Sequence, residues 1–268
     1  MDSVTGRRLR VAVQLAPQHA GYAAIRRAAS AAEELGVDAV FTWDHFFPLG
    51  KVREGMHFEC WTLLGAWAES TSRVEIGAMV SCNSYRNPDL LADMARTVDH
   101  ISGGRLVLGL GAGFREWEYA QYGYDVGTPA GRVDDLAAAL PRVERRLALL
   151  NPPPTRKVPL LMGGGGERMM LRLVARYADI WHSMADGETL AHKSRVLDRH
   201  CAELGRDPAG IERSAFVEGD PWEVGPAYRE RGITLFTLFT SGPDFDLSGL
   251  RRWIAWRDEQ NAGQPTIV

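Results

Sequence analysis

The sequence predicts a (β/α)8 barrel. Short apolar runs alternate with helical patterns almost from end to end, eight strand-like runs can be read, and no shift in composition divides the 268 residues. The expected unit is therefore one domain spanning 1–268. A doubly wound sheet is the other architecture that such alternation permits.

Residues 10–16 read as the first strand. A helix from Tyr22 to Leu35 follows, with Ile25, Ala28, Ala29 and Ala32 on one face and Gly36 as its stop. Val37 to Phe46 reads as the second strand, Glu59 to Glu69 as the second helix and Val74 to Ser81 as the third strand. Asn87 can cap the third helix and Pro88 fits its first turn. Leu91, Met94, Ala95, Val98 and Ile101 supply its apolar face, and Gly103 follows its end. Arg105 to Gly111 is the fourth strand and Val133 to Leu150 the fourth helix, stopped by Asn-Pro-Pro-Pro at 151–154.

The stretch from Pro159 to Met184 is the most informative. A short apolar run meets four consecutive glycines, Gly163 to Gly166. A helix is expected from Glu167, with Met170, Leu173, Val174 and Tyr177 at helical spacing, and a further apolar run covers Ala178 to Met184. A glycine turn between strand and helix lets the backbone approach a ligand closely. Backbone N–H groups at a helix start favour a phosphate or carboxylate. The same glycines would also serve a plain tight turn. No Lys-Ser/Thr follows them, so this is not a P-loop, and neither this stretch nor Gly109 to Phe114 fits G-x-G-x-x-G. Leu190 to Leu204 reads as helical. Arg213 to Val217 and Ile233 to Phe239 are the last two strands, with a short helix near Pro226 to Arg231 between them.

With 45% hydrophobic and 24% charged residues the chain can bury a large core, and a formal net charge of −3 offers no basic footprint for nucleic acid. Cys60, Cys82 and Cys201 lie far apart, which suggests neither a disulfide framework nor a C-x-x-C site; a reducing cytoplasm is the expectation. The apolar run near the start breaks at Gln14 and Pro17, too short for a signal peptide. No stretch of about 18 uninterrupted apolar residues is available to cross a membrane. The expected partner is a small-molecule substrate, with a homodimer left open.

Barrel chemistry sits at the carboxyl ends of the strands. That rule selects Trp43-Asp44-His45, Ala78 to Asn83, Gly111 to Phe114, Gly163 to Gly166 and Trp181-His182. The set has no metal-ligand spacing and no G-x-S-x-G, so no metal is expected. Glycines, aromatic side chains and one or two histidines suit a planar, phosphorylated cofactor better than covalent catalysis. Core packing would account equally for Trp43, Trp181 and Met184, and Asp44 reads as an orienting partner rather than an acid. The stripe Arg168, Arg172, Arg176 reads as a solvated helix face, with only Arg168 near enough the turn to assist a phosphate.

Four segments then resemble the luciferase-like monooxygenase superfamily, most closely its oxidoreductases that use the deazaflavin coenzyme F420. These are FTWDHFFP at 41–48, the long block from Asn87 to Asp125, GGGGERMMLRLVARYADIWH at 163–182 and HCAELGRDPAGIERSA at 200–215. The resemblance implies a bacterial-luciferase-like barrel, in which His45, after Asp44, lies near the reactive face of the deazaflavin. It implies a non-prolyl cis peptide at Ala78-Met79 that supports the central ring. It also implies a phosphate turn formed by Gly163, Gly164, Gly165 and Gly166 with Glu167 and Arg168. Gly111 and Gly113 fall in the cofactor-binding Gly-x-Gly segment. Trp43, Asn83, Tyr85, Phe114, Trp181 and His182 are the expected substrate-pocket residues.

Departures from the family pattern are specific. Some family reductases carry a proton-donating Glu where this chain has Phe114, with Glu116 and Glu118 following. Leu49 stands where an aromatic residue is often found, and an excursion seen in many relatives is shortened near residues 150–158. The implied function is F420-dependent hydride transfer to or from a small organic substrate. An FMN-dependent monooxygenase and a degenerate barrel that binds flavin without turnover are the alternatives.

Overall fold

The computed structural model describes residues 6–263; the ends of the expected 1–268 span lie outside them. Nine parallel strands surround a common axis in the order β3-β2-β1-β9-β8-β7-β6-β5-β4, and pairing of β3 with β5 closes the ring. The strands are β1 (Arg10–Ala16), β2 (Ala39–Thr42), β3 (Glu75–Ala78), β4 (Ser81–Cys82), β5 (Leu106–Gly111), β6 (Leu160–Gly163), β7 (Ile180–Ser183), β8 (Glu212–Phe216) and β9 (Leu235–Ser241). β3 and β4 are two halves of one barrel strand, so the ring is the expected eight-stranded barrel and the doubly wound alternative is excluded.

The break in that strand follows from its register. Gly77 faces Val107 while Ser81 faces Leu110, so four steps along β3–β4 match three along β5. The extra residue makes a bulge, with a cis peptide at Met79-Val80, one residue later than the Ala78-Met79 bond expected from the resemblance. Glycine on β5 makes room for it: a Cβ on Gly109 would run into the Ala78 carbonyl. A Cβ on Gly111 would meet Val80 Cγ2 at 2.6 Å. Gln14 on β1 donates from Nε2 to the Met79 carbonyl at 2.7 Å, fixing the bulge from the opposite side.

Helices pack outside: α1 (Tyr22–Leu35), α2 (Cys60–Ser70), α3 (Pro88–Ile101), α4 (Glu116–Tyr122), α5 (Pro129–Leu149), α6 (Met170–Tyr177), α7 (Gly187–Glu203), α8 (Pro221–Glu230) and α9 (Ser248–Ala262). Capping matches the sequence where it could be read. The Asn87 side chain accepts from Asp89 N, and Gly36 ends α1 with φ of 101°. Several boundaries differ: β2 is only Ala39–Thr42, α7 begins at Gly187, and α8 begins at Pro221. α5 begins at Pro129, capped by the Thr128 side chain, and α6 begins at Met170 instead of Glu167. Neither α4 nor α9 was expected. α5 ends at Leu149 and β6 starts at Leu160, so the shortened excursion is a direct link.

Inside the ring, Arg10 pairs with Glu75 and Glu212 at the amino-terminal end of the strands. Above it lies an apolar layer that includes Ala12, Phe41, Val107, Leu161, Ile180 and Leu235. The lower barrel is thus filled, as such barrels require. Only the carboxyl end is open.

Candidate active site

A cavity of about 1270 Å³ opens at that end. Trp43, Asp44, His45, Met79, Val80, Tyr85 and His182 line it, together with Gly111 to Phe114 and Gly163 to Gly166. These come from β2, the bulge, β5, β6 and β7, the strand ends that the sequence selected.

Asp44 lies two residues beyond β2 and is buried. Its carboxylate accepts from Arg86 Nη1 at 2.5 Å and Nη2 at 3.0 Å, and from Cys82 N at 3.0 Å. Burial pushes this carboxyl up, against the opposing pull of the Arg86 guanidinium. Through these contacts Asp44 joins the β2 end to β4 and the segment before α3. It is an orienting group, not a free acid.

His45 is different. Its Nδ1 lies 2.9 Å from Glu118 Oε2, and the Tyr85 hydroxyl donates to that same oxygen at 3.0 Å. The ring stands edge-on to Phe114, centroids 5.5 Å apart, and edge-on to Trp43 at 5.9 Å. Glu118 is fully buried on α4. Burial would raise its pKa, but the bonds from His45 and Tyr85 and the charge of Arg115 bring it below the ordinary carboxylate value. An acceptor held at Nδ1 fixes the ring and leaves Nε2 for the cavity side of the chemistry. Trp43 is itself oriented by donating from Nε1 to His57 Nε2 at 3.0 Å. Burial lowers the His57 pKa to about 4, so it accepts as a neutral imidazole. Neither His57 nor the pairing of Glu118 was singled out from the sequence. The available signal for Glu118 was a carboxylate inside an otherwise aromatic run.

His182 lines the cavity wall beside Gly163, its register partner on β6. Its Nδ1 is 2.9 Å from Ser214 Oγ, which contacts Thr237 Oγ1 at 3.0 Å, and its Nε2 is buried without a partner. Burial lowers its pKa to about 3, so the ring is neutral.

The glycine turn presents backbone. Gly164 has φ of 132°, and a Cβ there would meet Met170 Cγ at 3.0 Å. Among the described residues, no acceptor takes the N–H of Gly165 or Gly166. Because α6 starts later than expected, these amides belong to the turn itself and not to a helix end. Glu167 is turned toward His192 and Lys193, and both Glu167 and Arg168 are exposed and outside the cavity lining. Trp181 is fully buried and donates from Nε1 to the Gly164 carbonyl at 2.8 Å, so it supports the turn from behind. Ala78 and Asn83 are buried beside the bulge and do not line the cavity. Gly113, with φ of 78°, has no room for a Cβ beside Tyr119 and Cys82. No cluster of three or more metal-ligating side chains occurs among the described residues.

This combination, a strand bulge beside a glycine turn with unengaged amides at the open end of a barrel, agrees with the family whose description is luciferase-like monooxygenase. Its model matches residues 7–218. The chain belongs to that family. Relatives include the phthiodiolone/phenolphthiodiolone dimycocerosates ketoreductase of Mycobacterium bovis (strain BCG / Pasteur 1173P2), 29% identical over 213 residues, covering 72% of this chain and 53% of that protein. The F420-dependent glucose-6-phosphate dehydrogenase of Amycolatopsis mediterranei (strain U-32) is 42% identical over 85 residues, 31% of this chain and 25% of that one. This luciferase-like chain spans about half the length, or less, of these curated relatives. Among solved structures, an F420-dependent secondary alcohol dehydrogenase in complex with an F420-acetone adduct superposes with a TM-score of 0.78. It is 19% identical, over 92% of this chain and 97% of that chain. EDTA monooxygenase from Chelativorans sp. BNC1 reaches 0.62 at 18% identity, over 85% and 67% of the two chains. At such identities these likenesses bear on the fold.

Proposed function

We propose that this luciferase-like chain is a coenzyme F420-dependent oxidoreductase acting on a small organic substrate. The observation that carries the reading is the His45–Glu118 pair at the cavity wall, opposite a glycine turn with unused amides. The residues fit the cofactor in shape. The bulge presents Met79 and Val80 to the cavity, and Gly163 to Gly166 leave room where side chains would obstruct a phosphate. When bound, the deazaflavin supplies hydride chemistry. The chain's own residues do the remainder. Gly165 and Gly166 amides hold the phosphate, Met79 and Val80 support the ring, and His45 Nε2 holds or moves the proton on the substrate oxygen. Glu118 stabilises the charge that His45 gains, taking up at α4 part of the role lost at Phe114.

FMN-dependent monooxygenation is the second reading, because both cofactors present a planar ring and a ribityl phosphate to the same turn. The named F420 proteins among the relatives favour the deazaflavin. Titration of the purified chain with each cofactor, read by fluorescence quenching, separates them: the deazaflavin should bind and FMN should bind at least tenfold more weakly. Tight FMN binding alone would reverse the assignment, and binding of neither would leave a degenerate barrel. We further assign the chain to the cytoplasm, where three free, buried cysteines stay reduced, and leave a homodimer open. No described helix is long and apolar enough to cross a membrane.

A further inference from the structure

The cavity wall has a charge pattern that the redox assignment does not require. Among the described residues no Lys or Arg lines it. Four cations next to the lining are engaged elsewhere: Arg86 on Asp44, Arg115 beside Glu118, Arg132 on the Gly113 and Val126 carbonyls, and Lys193 on the Gly165 carbonyl. Two carboxylates at the rim, Glu218 and Asp246, line the cavity and have no cationic partner among the described residues. Asp246 accepts from Ser248 N at 2.9 Å, and hydrogen bonding to Ser248 lowers its carboxyl below the ordinary value.

Beside Ser248 and Thr240, the rim carries large apolar side chains. Phe114, Met184 and Phe239 all line the cavity and are 67%, 77% and 50% exposed. Phe239 stacks on Trp43 with centroids 5.8 Å apart, making one aromatic wall beside His45. Large apolar side chains left open to water around one cavity mark a surface that a ligand covers.

Resting on the proposed oxidoreductase reading, we infer that the substrate is an uncharged molecule with an apolar body, and that phosphorylated and carboxylate-bearing compounds are rejected at this rim. An anion entering here would shed water with no cation to replace it, and would meet two like charges. Among the described residues of the cavity lining, the glycine turn offers the unengaged backbone amides, and on the proposed reading the cofactor's phosphate would fill it. The Trp43–Phe239 wall takes the apolar body. Glu218 and Asp246 then act as specificity-determining residues.

The test compares two molecules of the same shape, 4-phenylbutan-2-one and 3-phenylpropanoate. Binding to the full chain is measured by ligand-observed NMR in phosphate buffer, so that the glycine turn is already filled and no cofactor is needed. The ketone should bind at least tenfold more tightly, equivalent to about 1.4 kcal/mol. In the double variant Glu218→Gln/Asp246→Asn the difference should shrink by threefold or more, through tighter binding of the carboxylate. Equal or tighter carboxylate binding in the parent protein would overturn the inference. So would an unchanged difference in the double variant, or failure of the ketone to bind. A failed deazaflavin titration beside a preserved ketone preference would instead sink the cofactor assignment and leave the charge selection standing.

Discussion

His45 Nδ1 and Glu118 Oε2 lie 2.9 Å apart, joining the end of β2 to a helix 73 residues later in the chain. The carboxylate is fully buried and the ring is partly open to the cavity. One partner is therefore fixed, and the other is free to meet a ligand.

Glu118→Gln keeps the shape of that contact and removes its charge. Turnover should fall about tenfold or more, with cofactor affinity nearly unchanged. Steady-state rates and a cofactor titration on the same variant check this. A turnover equal to that of the parent would show that the carboxylate is only a structural partner.

His45→Ala removes the group proposed to handle the proton. Turnover should fall by about 10²-fold, the usual scale for a lost acid–base residue. Cofactor affinity should fall far less, because the glycine turn is untouched. A large loss of affinity with normal turnover at saturation would recast His45 as a binding residue.

Gly164→Val tests the cradle. At φ of 132° a branched residue is strained, and its Cβ would press on Met170. Cofactor binding should weaken tenfold or more, about 1.4 kcal/mol. Unchanged binding in a folded variant would place the phosphate elsewhere.

Acid should destabilise the fold through buried His182 and half-buried His57. In the unfolded chain an imidazole titrates near 6.5. Burial lowers His182 to about 3 and His57 to about 4 in the folded protein. Below about pH 6.5 the unfolded chain takes up protons that the folded chain refuses, so this stability is present above 6.5 and is lost as pH falls toward 4 and then 3. The melting temperature should drop over that range, and His182→Gln should make the drop shallower. A variant whose melting temperature tracks the parent's at every pH would remove His182 as a cause.

Gly109→Ala should be severe although it adds one methyl group, because that methyl would overlap the Ala78 carbonyl. Loss of about 3 kcal/mol or more, or of soluble protein, is expected. Near-parent stability by chemical denaturation would mean that the bulge can move aside.

What was legible in the sequence was punctuation and period. Asn87-Pro88, Gly36 and the glycine run are local signals, and they placed α1, α3 and the turn correctly. The strand-end rule then selected His45, Asp44 and His182 without knowledge of any contact. The Met79-Val80 bulge was displaced by one residue because its position is set by register against Gly109, a relation between strands. α9 is hard to read because its buried stripe of Leu250, Trp253, Ile254, Trp256 and Asn261 includes the charged Arg257, and Arg251, Arg252, Asp258 and Glu259 surround it. Trp181 and His182 are neighbours on β7 and cannot both face the cavity: alternation puts His182 inside and turns Trp181 outward, where its indole donates to the Gly164 carbonyl. Glu118 was one of two candidate carboxylates, and only the packing of α4 against His45 and Tyr85 separates it from exposed Glu116.

The ionic floor of Arg10, Glu75 and Glu212 has a kinetic consequence. With the amino-terminal end of the barrel shut, the cavity has one doorway, and everything passes through it in sequence. On the proposed reading, a cofactor against the bulge and glycine turn would enter before a substrate held under Phe114 and Phe239. Compulsory-order kinetics, with the outer occupant slowing escape of the inner one, are then the expected outcome, checked by product-inhibition patterns.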